Sequence, residues 1–410
     1  MNGHADGADE PLRQVLASAG HSCTFVEDRV QASVSAAPGE PVEARVLRVV
    51  GAALGGERSR HLSDPLLEDL GGPVRPRLPL SRVLSEPHLD ISSWLELART
   101  LGEAGWRARI VGFHQKIWVS VNGEVTRDDR EACRVEIRGG DPPEVLLDLA
   151  LGIGEGVTPE VLGALDGAAS RRSRAVRLEN PEGPCVFAPG VAGIVAHELI
   201  GHALEGDVAL AGSRLSRYEK SLGPPDLRVI DDPRRGRAPW TVDDEGTAPR
   251  PVTLFEGGRV SGWLLDRATA ERQGAVSTGH GRRGSYLDPV LPRMGCTYID
   301  RGTTTAASIV VDTPRGILVR RMAGAHADPR RGRAIFVVTD ADRIEGGEAT
   351  DPLAPFVIEM DVIDALASID RIGNDLAFDS CIGSCVRSGQ PLATSVGAPT
   401  VRTRVIRVIS

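Results

Sequence analysis

Lysine is nearly absent: Lys116 and Lys220 are the only two, and the remaining basic residues are arginines. We read this bias as genome composition. Positive charge is also in deficit, with 48 Lys and Arg against 56 Asp and Glu and a net charge of −8. Nucleic-acid binding rests on a clustered positive surface, so this balance argues against nucleic acid as a partner. The two basic clusters, Arg234-Arg235-Gly236-Arg237 and Arg330-Arg331-Gly332-Arg333, each follow Asp-Pro and read as solvated turns. No apolar run approaches the roughly 18–20 residues that span a bilayer, which excludes a membrane helix. The start, Met1 to Glu10, is polar and acidic rather than a signal peptide, so the expected location is the cytoplasm. There the six cysteines are expected to stay reduced. Solenoid-type repeats are missing as well.

What is present suits an ordinary globular chain: 410 residues, 41% apolar and 25% charged, long enough for two cores. The expected class is α+β: a disordered start at 1–10, an N-terminal α+β domain at 11–178, and a β-rich, barrel-like C-terminal domain at 179–410 carrying one active-site helix. Pro11 to Ala19 reads as a helix, and alternation predicts strands at 23–35 and 43–50. The Gly-, Pro- and Arg-rich stretch 51–88 reads as a connection. Ile91 to Glu103 has helical spacing, with Asp90 as cap and Gly105 as stop. A strand from Arg107 to Val121 meets Asn122-Gly123, a strong hairpin signal, and then Glu124 to Arg127. Further β-like or apolar segments fall at 133–138 and 144–150, and Thr158 to Arg172 reads as a capped helix. Beyond residue 180, strands are predicted at 184–188, 226–230, 251–256, 259–264, 307–311, 316–321, 333–339, 355–361 and 400–409. A hairpin turn is expected at Phe255-Glu256-Gly257-Gly258-Arg259.

One helix carries chemistry. Val191 to Gly206 contains His197-Glu198-Leu199-Ile200-Gly201-His202. Neutral imidazoles are good zinc ligands, and a neighbouring carboxylate can take a proton from metal-activated water. Zinc peptidases usually space the two histidines four apart, on one helix face. Here they are five apart, about 500° of rotation, so ideal-helix side chains would diverge by about 140°. Gly201 weakens the helix at that point, and a π-like bulge or kink is predicted around Ile200–His202. A catalytic zinc site wants a third protein ligand. Glu205, Asp207, Cys381, Cys385 and His326 are all candidates, and spacing does not choose among them.

These residues resemble the TldD/PmbA metallopeptidase family, in particular its metal-binding TldD-type members. The match runs in order through HELIGHALEGD, Asp243-Asp244-Glu245-Gly246-Thr247, Ser277-Thr278-Gly279, Gly281-Arg282-Arg283, Ser285-Tyr286, Pro292-Arg293-Met294 and Thr297-Tyr298. It continues through Ile372-Gly373-Asn374-Asp375-Leu376, Ile382-Gly383-Ser384-Cys385, Gly389-Gln390 and Val396-Gly397-Ala398-Pro399-Thr400. The resemblance implies one Zn2+ per chain held by His197, His202 and Cys385, with Glu198 as general base. Cys381 is not at the family's ligand position. A peptide substrate is implied, unfolded or modified, bound as an added β-strand inside a dimer chamber. The implied partner is a TldE/PmbA-type homologue lacking the histidine motif, or a second copy. Glu205 and Asp207 are then free to orient an imidazole. His280, Arg282, Arg283 and Tyr286 are expected to line the pocket and bind a carbonyl or terminal carboxylate. The chain is short for the family, and Ala323 to Gly332 departs from the glycine-rich stretch expected there. The alternative reading is a non-catalytic, metal-stabilised binding partner or regulator of a larger complex.

Overall fold

Residues 23–54, 60–63, 91–139, 145–150, 159–178, 182–379 and 383–409 are described by the structure, a computed structural model. The expected disordered start, the helix at 11–19, Asp90 and Cys381 lie outside the described residues.

Six antiparallel strands form the first sheet: β1 (Cys23–Ala36), β2 (Glu43–Leu54), β3 (Arg60–Ser63), β4 (Arg107–Val121), β5 (Glu124–Gly139) and β6 (Val145–Ala150). Their order is β3-β2-β1-β4-β5-β6. Asn122 and Gly123 take φ 51° and 86°, and Val121 pairs with Glu124, as the Asn-Gly turn requires. β5 runs unbroken where two separate pieces were expected. Strands β2 and β3 reach into the stretch read as connection. Helix α1 (Ser92–Glu103) lays Trp94, Leu97, Ala98 and Leu101 over Val34, Ala108 and Ile110. Gly112 lets the helix approach: a Cβ there would lie 2.6 Å from the Trp94 ring. Helix α2 (Pro159–Ser173) adds Leu165 to this core.

The later strands are β7 (Glu182–Phe187), β8 (Arg228–Asp231), β9 (Val252–Glu256), β10 (Arg259–Val260), β11 (Gly281–Arg282), β12 (Leu291–Pro292), β13 (Cys296–Ile299) and β14 (Arg315–Asp328). They continue with β15 (Arg333–Glu345), β16 (Glu348–Pro352), β17 (Phe356–Asp361), β18 (Ile369–Ile372), β19 (Ala377–Phe378), β20 (Gly383–Arg387), β21 (Gln390–Ala398) and β22 (Val401–Val408). The ladder β14-β7-β22-β17-β15 closes because β15 pairs back with β14, giving a small barrel. Closure removes free edges. A second sheet runs β10-β9-β8-β13-β21-β19, with β20 paired to β21. The α+β class with a β-rich, barrel-bearing C-terminal part is what the structure shows.

Short helices punctuate this part: α3 (Ala192–Ala196), α4 (Gly206–Leu210), α5 (Arg267–Gln273), α6 (Ala306–Val311) and α7 (Val362–Ser368). Two sequence expectations are corrected. Residues 306–311 form helix α6, not a strand. The Ile-Val-Val run suggested β structure, but only Ile309 is buried in that helix and Val311 is 64% exposed, so the segment offers no two-sided core face. The strand expected at 259–264 stops at Val260. Among the described residues, no helix is long and apolar enough to cross a membrane.

The first sheet joins the rest through buried polar pairs. Arg130 donates to Asp128, to Asp244 at 2.6 Å and to the Val242 carbonyl. Glu27 accepts from the Tyr286 amide, and Arg29 donates to the Gly284 carbonyl. Asp243 ties its own loop together, accepting from the amides of Glu245, Thr247 and Gly281. Beside it, burial raises the Glu245 carboxyl to about 7, with Asp243 and Asp266 adding repulsion and the Arg267 amide opposing. A folded-state pKa above the unfolded value favours the protonated fold. That stability is full at pH values below the unfolded pKa and is lost as pH rises through about 7. Glu245→Gln should therefore gain up to about 3 kcal/mol over wild type at pH 8 and little at pH 4.5. Urea unfolding at the two pH values measures this; equal differences at both would remove the buried-charge explanation.

Candidate metal centre

Helix α3 does not continue as an α-helix. His197–Gly201 is one π-helical turn, in which the His202 amide donates to the His197 carbonyl. A short 3-10 turn, His202–Leu204, follows. The i to i+5 bond resolves the five-residue spacing, because it stacks His202 over His197 instead of rotating it away. The ring centroids are 5.1 Å apart and nearly perpendicular. The bulge begins a turn earlier than expected, at His197. Gly201 has a second reason to lack a side chain: a Cβ there would lie 2.0 Å from the Met294 sulfur.

This turn is wedged between the barrel and the second sheet, with Leu199 and Ile200 in the same core as Phe187, Leu254 and Phe336. The opposite face meets β20. Cys385 sits on that strand, paired with Leu392 across a tight hairpin through Ser388 and Gly389. A hairpin strand thus brings the thiol to the helix. The Cys385 Sγ lies 3.4 Å from His202 Nε2. The ligand atoms of His197, His202 and Cys385 all fall within 4.8 Å of one another. In a tetrahedral zinc site, a nitrogen at about 2.05 Å and a sulfur at about 2.3 Å stand about 3.6 Å apart. Two imidazoles and a thiol are a donor set that suits zinc. Burial alone would raise the Cys385 thiol, but His197 and His202 outweigh it and hold the thiol well below its ordinary value. The thiolate form needed for metal ligation is thus favoured.

Around this group lies a carboxylate and guanidinium network. Glu205, fully buried, accepts from His202 Nδ1 at 3.0 Å, leaving Nε2 to face the thiol. Its oxygens also face Arg387 at 3.2 Å and Arg293 Nε at 3.8 Å, the latter an ion-pair distance too long for a hydrogen bond. Arg293 donates to the Cys385 carbonyl at 2.6 Å and to the Gln390 carbonyl. Asp207 pairs with Arg387. Of the open candidates for a third ligand, Glu205 and Asp207 are engaged elsewhere. His326 is exposed on β14 and belongs to a separate shallow surface with Asp207 and Arg387.

Glu198 points into a cavity of about 430 Å³ shared with His197 and Cys385. Its carboxylate is 4.0 Å from His202 Nε2. The far wall comes from Arg320 to Ala325 of β14, which overlaps the departing segment Ala323 to Gly332 only at its first three residues. His280, Arg282, Arg283 and Tyr286 do not line this cavity. His280 is buried against Asp231 at 3.2 Å and the Thr278 hydroxyl. Arg282 stacks on Trp240 at 4.3 Å, and burial lowers its pKa to about 10. Arg283 stacks on Phe25, and Tyr286 packs with Phe25, Ile117 and Val119 of the first sheet. Arg283 and Tyr286 thus join the chain's two parts, whereas His280 and Arg282 pack within the second.

Residues 181–410 match the family model for the PmbA/TldA metallopeptidase C-terminal domain. The chain belongs to the TldD/PmbA family. Among relatives, a metalloprotease TldD homolog of Buchnera aphidicola is 29% identical over 236 residues, 56% of this chain and 49% of that protein. A zinc metalloprotease TldD homolog of Saccharolobus solfataricus is 30% identical over 230 residues, 55% of this chain and 51% of that one. The match thus spans about half the length of these relatives. Among solved structures, TldE from Thermococcus kodakarensis superposes with a TM-score of 0.71 at 15% identity, covering 98% of this chain and all of that one. A Thermotoga maritima protein described as a modulator of a DNA gyrase gives 0.71 at 14% identity, over 98% of this chain and 99% of that one. These likenesses show the fold.

Sequence reasoning assigned no role to Arg293 or Arg387. The available signal was a charged residue between Pro292 and Met294 inside a family block, and a second arginine on the same strand face as Cys385, two residues on.

Proposed function

We propose that this chain is a zinc-dependent peptidase acting in the cytoplasm, with residues 179–410 as its metallopeptidase domain and 11–178 as a domain packed against it. The observation that carries the reading is the convergence of His197, His202 and Cys385 beside Glu198 in one cavity. The relatives' metalloprotease names support it. His197, His202 and Cys385 would hold one zinc ion. When bound there, zinc supplies Lewis acidity, which acidifies water and polarises an amide carbonyl. Glu198 takes the proton from the attacking water and returns it to the leaving amine. Glu205 fixes the His202 tautomer through Nδ1. The substrate is an unfolded or modified peptide held in a dimer chamber formed with a TldE-type chain or a second copy, a reading supported by the shared TldE fold.

Metal analysis and chelator competition test the donor set. Wild-type protein should carry one zinc per chain, and peptide cleavage should vanish on chelation and return with zinc. Cys385→Ser should weaken zinc binding by at least about tenfold. Unchanged affinity in that variant would remove Cys385 from the site.

A further inference from the structure

Resting on the peptidase reading, we propose that Arg172, Arg321 and Thr339 form a carboxylate-binding subsite that adjoins the catalytic cavity and selects acidic peptides.

The cavity wall on β14 is irregular. Register shifts fall between Val319 and Arg321, Arg321 and Met322, and Met322 and Gly324. A regular strand sends successive side chains to opposite faces, so Arg320 and Arg321 could not share a wall. The bulges place both on the cavity that holds His197, Glu198 and Cys385. Arg321 also lines a second cavity of about 100 Å³, walled by Arg171, Arg172, Thr339, Asp340 and Leu353. Arg321 is therefore the shared wall of the two spaces. The smaller one has room for a carboxylate group and not for a nucleotide.

Charge here is unbalanced. Arg171 reaches Asp340 at 2.8 Å and Asp342 at 2.6 Å, and Arg320 takes the other Asp342 oxygen at 2.6 Å. These bonds engage both oxygens of Asp342 and one oxygen of Asp340. Arg321 stands across the ladder from Asp340 yet has no hydrogen-bond or ion-pair partner among the described residues. Nor has Arg172, whose Nε and Nη1 are buried and unpartnered, as is the Thr339 hydroxyl. Burial lowers the Arg172 pKa, and no acid offsets it. In a chain of net charge −8, two partly buried guanidiniums with no counter-ion among the described residues face one small cavity and suit an anion. A bound peptide passing the zinc group supplies it as a terminal carboxylate or as an Asp or Glu side chain.

Full-length Glu198→Gln protein allows binding to be read without turnover. Fluorescence anisotropy would compare three forms of one labelled peptide: a free C-terminal acid, a C-terminal amide carrying one Glu, and a neutral amide. At least one carboxylated form should bind about tenfold tighter than the neutral amide. Which form gains tells the terminal carboxylate from the side chain. Arg172→Gln and Arg321→Gln, each in the same background, should bring that ratio to within about twofold. Equal binding of all three peptides, no binding at all, or an unchanged ratio in both arginine variants would overturn the proposal. Selective binding together with no cleavage by wild-type protein would leave the subsite standing and remove the peptidase reading. Equal binding with cleavage of all three would do the reverse.

Discussion

Glu198→Gln should lower peptide cleavage by about 10²–10⁴-fold while zinc stays bound, the range that one general acid–base group contributes. Glutamine keeps the size and packing of the side chain but cannot accept a proton at neutral pH. The candidate ligands are untouched, since Glu198 is not among the three side chains whose donor atoms meet. Its position explains why it rather than Glu205 should carry the proton. Glu198 lines the open cavity, whereas Glu205 is fully buried between an imidazole and two guanidiniums. A proton carrier must reach both water and the leaving amine. Cleavage at wild-type rate in a zinc-loaded variant would take Glu198 out of the mechanism. Loss of zinc together with activity would make it a structural member of the metal site.

The parts of this molecule that were legible in its sequence are those governed by local physics. The β4–β5 hairpin was readable because Asn122-Gly123 can adopt two consecutive positive φ angles at little cost. The π-turn was readable because two imidazoles five residues apart cannot share an ion on an α-helix, so a distortion was required if they did. Other features depend on what lies across space. Spacing left five residues open as third ligand. Cys385 is brought in by a hairpin whose register no local pattern announces, and the family resemblance, not periodicity, singled it out. His280, Arg282, Arg283 and Tyr286 were misplaced for a similar reason. Polar and aromatic side chains in a glycine-rich loop look the same whether they face a substrate or bridge two sheets. The partner decides, and here the partners are Asp231, Trp240, Phe25 and Val119. Ile309-Val310-Val311 shows the converse, a β-rich run turned helical because the surrounding fold gives it only one buried position.

Glu205→Ala should be the most destabilising change near the metal centre, by about 3–5 kcal/mol, because it strands buried charge. Glu205 is the acid that Arg293 and Arg387 share, and Arg293 is itself fully buried. Arg387 keeps Asp207 and the Pro292 carbonyl, so the larger loss falls on Arg293. That guanidinium retains only neutral carbonyl acceptors at Cys385 and Gln390. The same substitution removes the acceptor on His202 Nδ1, so the imidazole is no longer held with Nε2 toward the thiol, and zinc affinity should fall about 10–100-fold. Glu205→Gln separates the two effects. It retains an oxygen for His202 but no negative charge, so zinc affinity should recover further than stability does. Thermal unfolding of the metal-free protein and chelator competition of the loaded one report each quantity independently. A stability loss under about 1 kcal/mol for the alanine variant would mean that the carbonyls alone satisfy Arg293. The link between the Pro292-Arg293-Met294 segment and the histidine turn would then rest on packing between Met294 and Gly201 rather than on charge.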